Sequence, residues 1–469
     1  MNVRFCGAAR HVTGSCHLIT LANGYKILLD CGLFQGEDKT DYISNSKWHF
    51  NPAEIDCLIL SHAHIDHIGR VPMLVRDGFR GTIYSTHATR SLCSIMLLDS
   101  AFIQEKDAEY YNKRQEKKKS NAPLRQPLYR ILDVDPVMDM FITTGYNKWL
   151  QINNEVQVVF IDAGHILGSA GIALTIKENG REYKIGFTGD IGRPDRPILR
   201  DPVPLPNVDF LICESTYGDK EHENNPEQSD KLAQVITQTL LEKKGKLIIP
   251  AFSVGRTQEI VYMMDKMITN GLIPKVKVYV DSPLAINATE VFGSHPECFD
   301  DEMNQYLLID ENPFGFKGLT YVRDVNQSKA LNTNSEPCVI ISSSGMMNAG
   351  RVKHHLANNI ENPMNTILIV GYCSPETPGG RLRNGDQTIK LFGEWKQVNA
   401  QIEIMDSFSA HGDRKEMLDQ IRNQISSVKD VFLVHGDYDT QKKFKTYLQE
   451  AGFSTIHIPE EGESVELSL

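Results

Sequence analysis

Long apolar runs are missing from this chain. The longest, such as Leu247–Pro250 and Val431–Val434, fall far short of the roughly 20 residues a membrane-spanning helix needs, so no membrane partner is expected. Residues 1–20 lack a basic start followed by an apolar stretch, which excludes a secretory signal there. Paired cysteines are missing too. The nine thiols, at 6, 16, 31, 57, 93, 213, 298, 338 and 373, include no Cys-x-x-Cys pair. An odd number of dispersed thiols, with Cys57, Cys213 and Cys338 inside apolar segments, fits reduced core cysteines in a cytoplasmic protein rather than a disulfide framework. Positive charge is in deficit: 49 Lys and Arg against 60 Asp and Glu leave a net −11, which argues against a wholesale nucleic-acid coat. Internal repeats and low-complexity tracts are absent.

What is present is a chain of 469 residues, long enough for two or three domains with real cores. Its organising pattern is a short apolar strand that ends on a polar, chemically capable residue. Tyr25–Leu29 ends at Asp30, Cys57–Leu60 at Ser61-His62, and Phe210–Cys213 at Glu214. Val156–Ile161 leads to His165, Tyr183–Thr188 to Asp190, Ile402–Met405 to His411, and Val431–Val434 to His435. Such strands, interleaved with helical patterns, predict an α/β architecture with active groups at strand C-terminal ends. Five prolines between 193 and 207 mark a break, and from 208 to 395 the pattern becomes more regularly βα. The division expected is one body from 1–207 and 396–469, interrupted by an inserted domain at 208–395. Lys113, Arg114, Lys117, Lys118 and Lys119 form a basic cluster, read equally as RNA contact or as solvated helix surface.

The strongest chemical signal is Ser-His-Ala-His-Ile-Asp-His at 61–67. Imidazoles and a carboxylate crowded after a buried-looking strand are costly without a metal, and both are ligand types that zinc accepts. His62 and His64 fall in a tight turn, with Asp66 and His67 near a helix start expected at Ile68. This crowding can present ligands to two metals from one loop.

Together with Asp30, Ala163-Gly164-His165 and Thr188-Gly189-Asp190, in that order, the stretch resembles the metallo-β-lactamase superfamily. The resemblance implies an αββα sandwich holding two zinc ions. It places His62, His64 and His165 on the first ion, Asp66 and His67 on the second, Asp190 as a bridge, and Asp30 behind a ligand histidine, orienting it. Glu214–Gly218, Ser409-Ala410-His411 and Val434-His435-Gly436 are similar to the motifs of the β-CASP branch. Pro250–Arg256, Asp281-Ser282-Pro283, Ser343–Met346 and the opening Gly7–Cys16 also resemble that branch, so the likeness runs from about residue 2 to the C-terminus. Within the branch it resembles the endonucleases of the cleavage and polyadenylation type and their short prokaryotic relatives. One departure is Glu376–Arg381, where the branch often has Gly-Thr-x-Gly-Arg, which displaces Arg381 by one position.

Carried over, the resemblance implies a zinc-dependent endoribonuclease with a βα (β-CASP) insertion. It would cleave single-stranded RNA by a metal-bridged hydroxide, leaving 5′-phosphate and 3′-hydroxyl, with 5′–3′ exonuclease action left open. Asp66 would take part in catalysis and His435 would complete the second ion's ligands. His411, positioned by Glu214, would protonate the leaving oxygen, because a carboxylate partner keeps an imidazole protonated near pH 7. Ser253, Arg256, Ser344, Gly345 and Arg381 lie in Gly- and hydroxyl-bearing loops that would cradle backbone phosphates. No RNP-type aromatic motif is present, so preference would come from shape and phosphate contacts. A homodimer or an RNA-processing complex is the expected setting. A DNA-directed β-CASP nuclease and a small-molecule zinc hydrolase are the alternatives. His435 favours RNA, and a small-molecule hydrolase would need neither the insertion nor the Glu214, His411 and His435 trio.

Overall fold

In the computed structural model, the described residues are 1–36, 38–117, 123–222, 228–371, 373–405 and 409–468. The chain divides into two compact units, one of Met1–Arg196, Arg200–Glu221 and His411–Leu469, the other of Pro197–Leu199 and His222–Ala410. Among the described residues, no helix is long and apolar enough to cross a membrane.

The first unit holds two seven-stranded sheets. One runs in the order Ser464–Glu466, Asn2–Gly7, Cys16–Thr20, Lys26–Leu29, Cys57–Ile59, Thr82–Thr86, Phe141–Thr144. The other runs Ile456–His457, Asp430–Leu433, Phe210–Cys213, Arg181–Phe187, Ala170–Glu178, Val156–Asp162, Leu150–Gln151. Alternation along the strands sends Phe5, Ile27, Leu29 and Ile59 of the first sheet against Phe160, Ile172, Phe187 and Phe432 of the second, in one buried core. The opposite face of the second sheet is covered by the helices Arg414–Ile421 and Tyr438–Glu450, through Met417, Leu418, Phe444 and Leu448. The helix His87–Lys117 packs on the strands Thr82–Thr86 and Phe141–Thr144 of the first sheet. The layers are thus helix, sheet, sheet, helix, which is the sandwich that the resemblance implied. Local chemistry agrees with the pairing. Asn179 and Gly180, both at positive φ, close the hairpin between Ala170–Glu178 and Arg181–Phe187, as a tight two-residue turn requires. Asp413 and Glu416 form a capping box at the start of Arg414–Ile421.

The second unit is built on a six-stranded sheet, ordered Leu319–Tyr321, Val278–Val280, Val339–Ser342, Leu247–Pro250, Thr366–Ile369, Gln401–Ile404 and parallel throughout. A separate hairpin pairs Thr388–Leu391 with Glu394–Gln397. The units divide at 221/222 and 410/411, where composition placed breaks at 207/208 and 395/396. Hydrogen bonding accounts for the difference. Phe210–Cys213 lies between Arg181–Phe187 and Asp430–Leu433, and Gln401–Ile404 pairs with Thr366–Ile369, whatever the proline content nearby.

All nine cysteines are buried, and no two of them form a disulfide. The basic cluster begins on the exposed end of His87–Lys117, while Lys118 and Lys119 lie outside the described residues. The expected helix start at Ile68 is instead one helical turn, Ile65–Ile68, followed by Val71–Arg76.

That turn is zipped to the loop after Lys26–Leu29 and to the residue before Cys16–Thr20. Cys31 N–H donates to His67 O at 2.8 Å, Leu33 N–H to Ile65 O at 3.0 Å, and Ser15 N–H to Asp66 O at 2.8 Å. The approach is so close that a Cβ on Gly32 would sit 1.6 Å from Asp66 O. Gly32→Ala is therefore expected to destabilise the fold by about 1–3 kcal/mol or more, since backbone rather than a pliable side chain must move. Denaturant melts measure this, and an unshifted midpoint would contradict the packing.

Candidate metal centre

Strand ends of both sheets in the first unit deliver the polar residues. Cys57–Ile59 runs into His62 and His64, Val156–Asp162 into His165, Arg181–Phe187 into Asp190, Phe210–Cys213 into Glu214, and Asp430–Leu433 into His435. Asp30 and His435 hold φ of 56° and 53°, a left-handed backbone that is uncommon outside glycine and concentrates at functional sites.

Three groups of ligand atoms result, two of them built on the histidine loop and the third made of Asp190, Glu214 and His411. In the first, His64 Nδ1 lies 3.1 Å from His62 Nε2 and 3.2 Å from His165 Nε2. In the second, His67 Nε2 lies 3.1 Å from His435 Nε2, and Asp66 Oδ2 lies 3.4 Å from His435 Nε2. Asp190 faces both. Its Oδ2 is 3.4 Å from His62 Nε2 and 3.5 Å from His165 Nε2, while its Oδ1 is 3.3 Å from His67 Nε2 and 3.6 Å from His435 Nε2. Each group converges closely enough to hold one metal ion.

The donor set fits zinc. Tetrahedral bonds of about 2.0–2.1 Å put ligand nitrogens roughly 3.3 Å apart, close to the separations here. Hydrogen bonding alone does not satisfy the cluster: Asp190 Oδ1 is buried and accepts no hydrogen bond among the described residues. Protonation points the same way. Burial pushes the His62 imidazole well below its usual range and His64 down to about 4, leaving both neutral with a lone pair to give. Burial opposes charge on Asp66, but the imidazoles of His435 and His67 outweigh it and hold the carboxyl below the ordinary range. Burial likewise opposes charge on His67, and Asp190 with Asp30 overcomes it, raising His67 well above an ordinary histidine. Positive charge is wanted between these carboxylates, and a cation would supply it.

Behind the ligand atoms, Asp30 receives His67 Nδ1 at 2.7 Å, the Ser61 amide at 2.8 Å and the Ser15 and Ser61 hydroxyls at 3.1 and 2.8 Å. This fixes the ring so that Nε2 faces the cluster. Beside the cluster, His411 Nδ1 is 3.2 Å from Glu214 Oε2 and its Nε2 is 3.8 Å from Asp190 Oδ2. Burial lowers the His411 pKa, yet Glu214 and Asp190 outweigh burial and raise it to about 9. Glu214 is itself anchored by the Ile191 amide and by the Thr216 hydroxyl. Thr216 Oγ1 also lies 2.9 Å from His435 Nδ1, a link that sequence reading did not single out although Thr216 stands inside the Glu214–Gly218 motif.

The expected phosphate loops lie in the second unit, and the structure gathers only part of them. Ser253 Oγ is 3.3 Å from Ser282 Oγ, which is 2.7 Å from Ser343 Oγ, so the ends of three parallel strands share a line of hydroxyls. Ser344 and Gly345 continue from Ser343, and Gly345 packs against the Phe252 ring. Arg256 is buried and pairs with Glu259. Arg381 pairs with Asp386 at 2.7 Å. The shared position of Ser282 and Ser343 comes from the parallel register, which no local pattern displays.

Comparison with known proteins matches three parts of the chain. The Metallo-beta-lactamase superfamily domain matches residues 18–182, the Beta-Casp domain 257–382, and the Zn-dependent metallo-hydrolase RNA specificity domain 395–459. A ribonuclease of Thermus thermophilus is 33% identical over 432 residues, 92% of each chain. The transcription termination factor FttA of Methanosarcina mazei is 30% identical over 93% of this chain and 67% of its own. Cleavage and polyadenylation specificity factor 73 of Drosophila melanogaster is 29% identical over 97% of this chain, which spans 63% of that relative's length. With its layered sandwich, inserted parallel-sheet unit and paired His/Asp clusters, the chain belongs to the β-CASP ribonuclease family of the metallo-β-lactamase superfamily, a family of Zn-dependent metallo-hydrolases.

Proposed function

We propose that this protein is a two-zinc endoribonuclease that cuts single-stranded RNA and leaves 5′-phosphate and 3′-hydroxyl ends. The observation that carries the reading is Asp190, with one carboxylate oxygen turned to each of two nitrogen clusters. His62, His64 and His165 would hold one ion, Asp66, His67 and His435 the other, and Asp190 both. Zinc at such sites acidifies water and neutralises phosphate charge.

The residues around the cluster supply the remaining steps. Asp30 holds His67 in one orientation, so its lone pair stays directed inward. His411 carries a proton on Nε2 while Nδ1 is held by Glu214. When the P–O3′ bond breaks, that proton passes to the departing O3′, and the water oxygen remains on phosphorus as the 5′-phosphate. The serine line at Ser253 with the Ser344-Gly345 turn suits a polyanionic strand. Arg256 and Arg381 would reach phosphate only by exchanging their carboxylate partners Glu259 and Asp386. The names of the relatives, a ribonuclease and a cleavage factor, agree in kind. Buried thiols without disulfides suit a reducing, cytoplasmic setting.

End-labelled single-stranded RNA is expected to be cut in the presence of zinc and spared after chelation, with 5′-phosphate mapped at the new ends. Preferential cutting of single-stranded DNA would transfer the assignment to the DNA-directed alternative. His411→Ala is expected to lower cleavage about 100- to 10,000-fold, the usual worth of a general acid, with zinc content unchanged by elemental analysis. Turnover near that of the parent would remove His411 from the proton step. Asp190→Ala and Asp66→Ala are expected to lose zinc as well as activity, and full occupancy in either variant would contradict the ligand assignment.

A further inference from the structure

The hairpin of Thr388–Leu391 and Glu394–Gln397 has one buried and one open face. Ile389 and Leu391 are fully buried on one side. Lys390 and Trp395 are directly opposed in the antiparallel register, so they share the other side. Trp395 is 60% exposed, and the Arg381 guanidinium stacks over it at 5.4 Å from the ring centroid. At the turn, Phe392 is 54% exposed, with Lys353 Nζ 5.1 Å from its ring and the His354 ring at 4.5 Å. Phe392 also holds φ of 51°, where asparagine or glycine is the ordinary occupant of a hairpin turn. A bulky aromatic residue is thus kept in an uncommon backbone conformation with half of its surface open to solvent.

We propose that this face, with the adjoining turn, is an auxiliary single-stranded RNA platform, in which Trp395 and Phe392 stack on bases while Lys390 and Lys353 take the flanking phosphates and Arg381 joins them by exchanging its partner Asp386. It deepens, and rests on, the ribonuclease reading above. Two features select RNA as the occupant. Lys353 and Lys390 form no ion pair among the described residues, so this acidic chain presents uncommitted cations here, complementary to a polyanion. Two aromatic rings beside them match a ligand that alternates charge with planar groups, as single strands do and acidic peptides do not. Glu394 and Lys396, paired at 3.6 Å, fall on the opposite side of the register from Trp395 and leave the platform clear. The match to the RNA specificity domain begins at residue 395, on this hairpin.

The test is fluorescence anisotropy with the full chain under chelation, which prevents cutting. The probes are a labelled 15-residue oligouridylate, an abasic ribose-phosphate oligomer of the same length, and polyglutamate as competitor. Trp395→Ala and Phe392→Ala should each raise the oligouridylate Kd about tenfold or more, and Trp395→Phe should keep most of the affinity. The Trp395→Ala change should leave the abasic Kd alone, whereas Lys390→Ala should weaken both oligomers. Thermal melts identical to the parent's are expected, because these side chains are exposed. An unchanged oligouridylate Kd in both aromatic variants, no binding by the parent, or polyglutamate displacing RNA with the same dependence on Trp395 would each overturn the platform. RNA cutting by a protein whose affinity ignores Trp395 would sink the platform and spare the nuclease reading. Binding that depends on Trp395 in a protein that cuts no RNA would do the reverse.

Discussion

The structure of the first unit is arranged around one buried carboxylate. Asp190 brings two oxygens into a space already crowded with imidazole nitrogens, and its buried Oδ1 accepts no hydrogen bond among the described residues. Charges held out of water cost several kcal/mol each unless they are paired. The protein offsets that cost with shared protons: His67 is driven toward its cation between Asp30 and Asp190, while Asp66 is held as an anion by His435 and His67. Such an arrangement suits the replacement of protons by divalent ions, and on the proposed reading each oxygen of Asp190 would face one of them.

This constraint explains features far from the cluster. Both sheets end at the same edge because each must contribute side chains: His62 and His64 from one, His165, Asp190 and His435 from the other. The core between them, with Phe5, Phe160, Phe187 and Phe432, fixes the distance across which Asp190 must reach. Gly32 allows the loop behind Asp30 to touch the backbone of Asp66, so the carboxylate that orients His67 and the turn that carries it move as one piece. Glu214 extends the same logic outward by keeping His411 protonated at the margin of the cluster.

Much of this was legible in the sequence, for a physical reason. The His-x-His-x-Asp-His loop is contiguous, and each remaining residue of the cluster follows a short apolar strand, so periodicity and position expose them together. Thr216 was hidden because its role is a contact with His435, more than two hundred residues away. The unit boundaries differed because Phe210–Cys213 and Gln401–Ile404 owe their membership to hydrogen-bonded neighbours rather than to local composition. Arg256 and Arg381 read as phosphate ligands from their glycine-rich surroundings, but sequence does not show the carboxylates of Glu259 and Asp386 that already hold them. Trp395 and Phe392 carry no pattern at all until pairing places Lys390 beside one and the turn strains the other.

The most direct test of the account is anomalous diffraction at the zinc edge from crystals of the zinc-loaded protein. The account predicts two peaks about 3.5–4 Å apart, one on each side of Asp190, with nitrogen and oxygen ligands only. A single peak, or peaks away from Asp190, would contradict it.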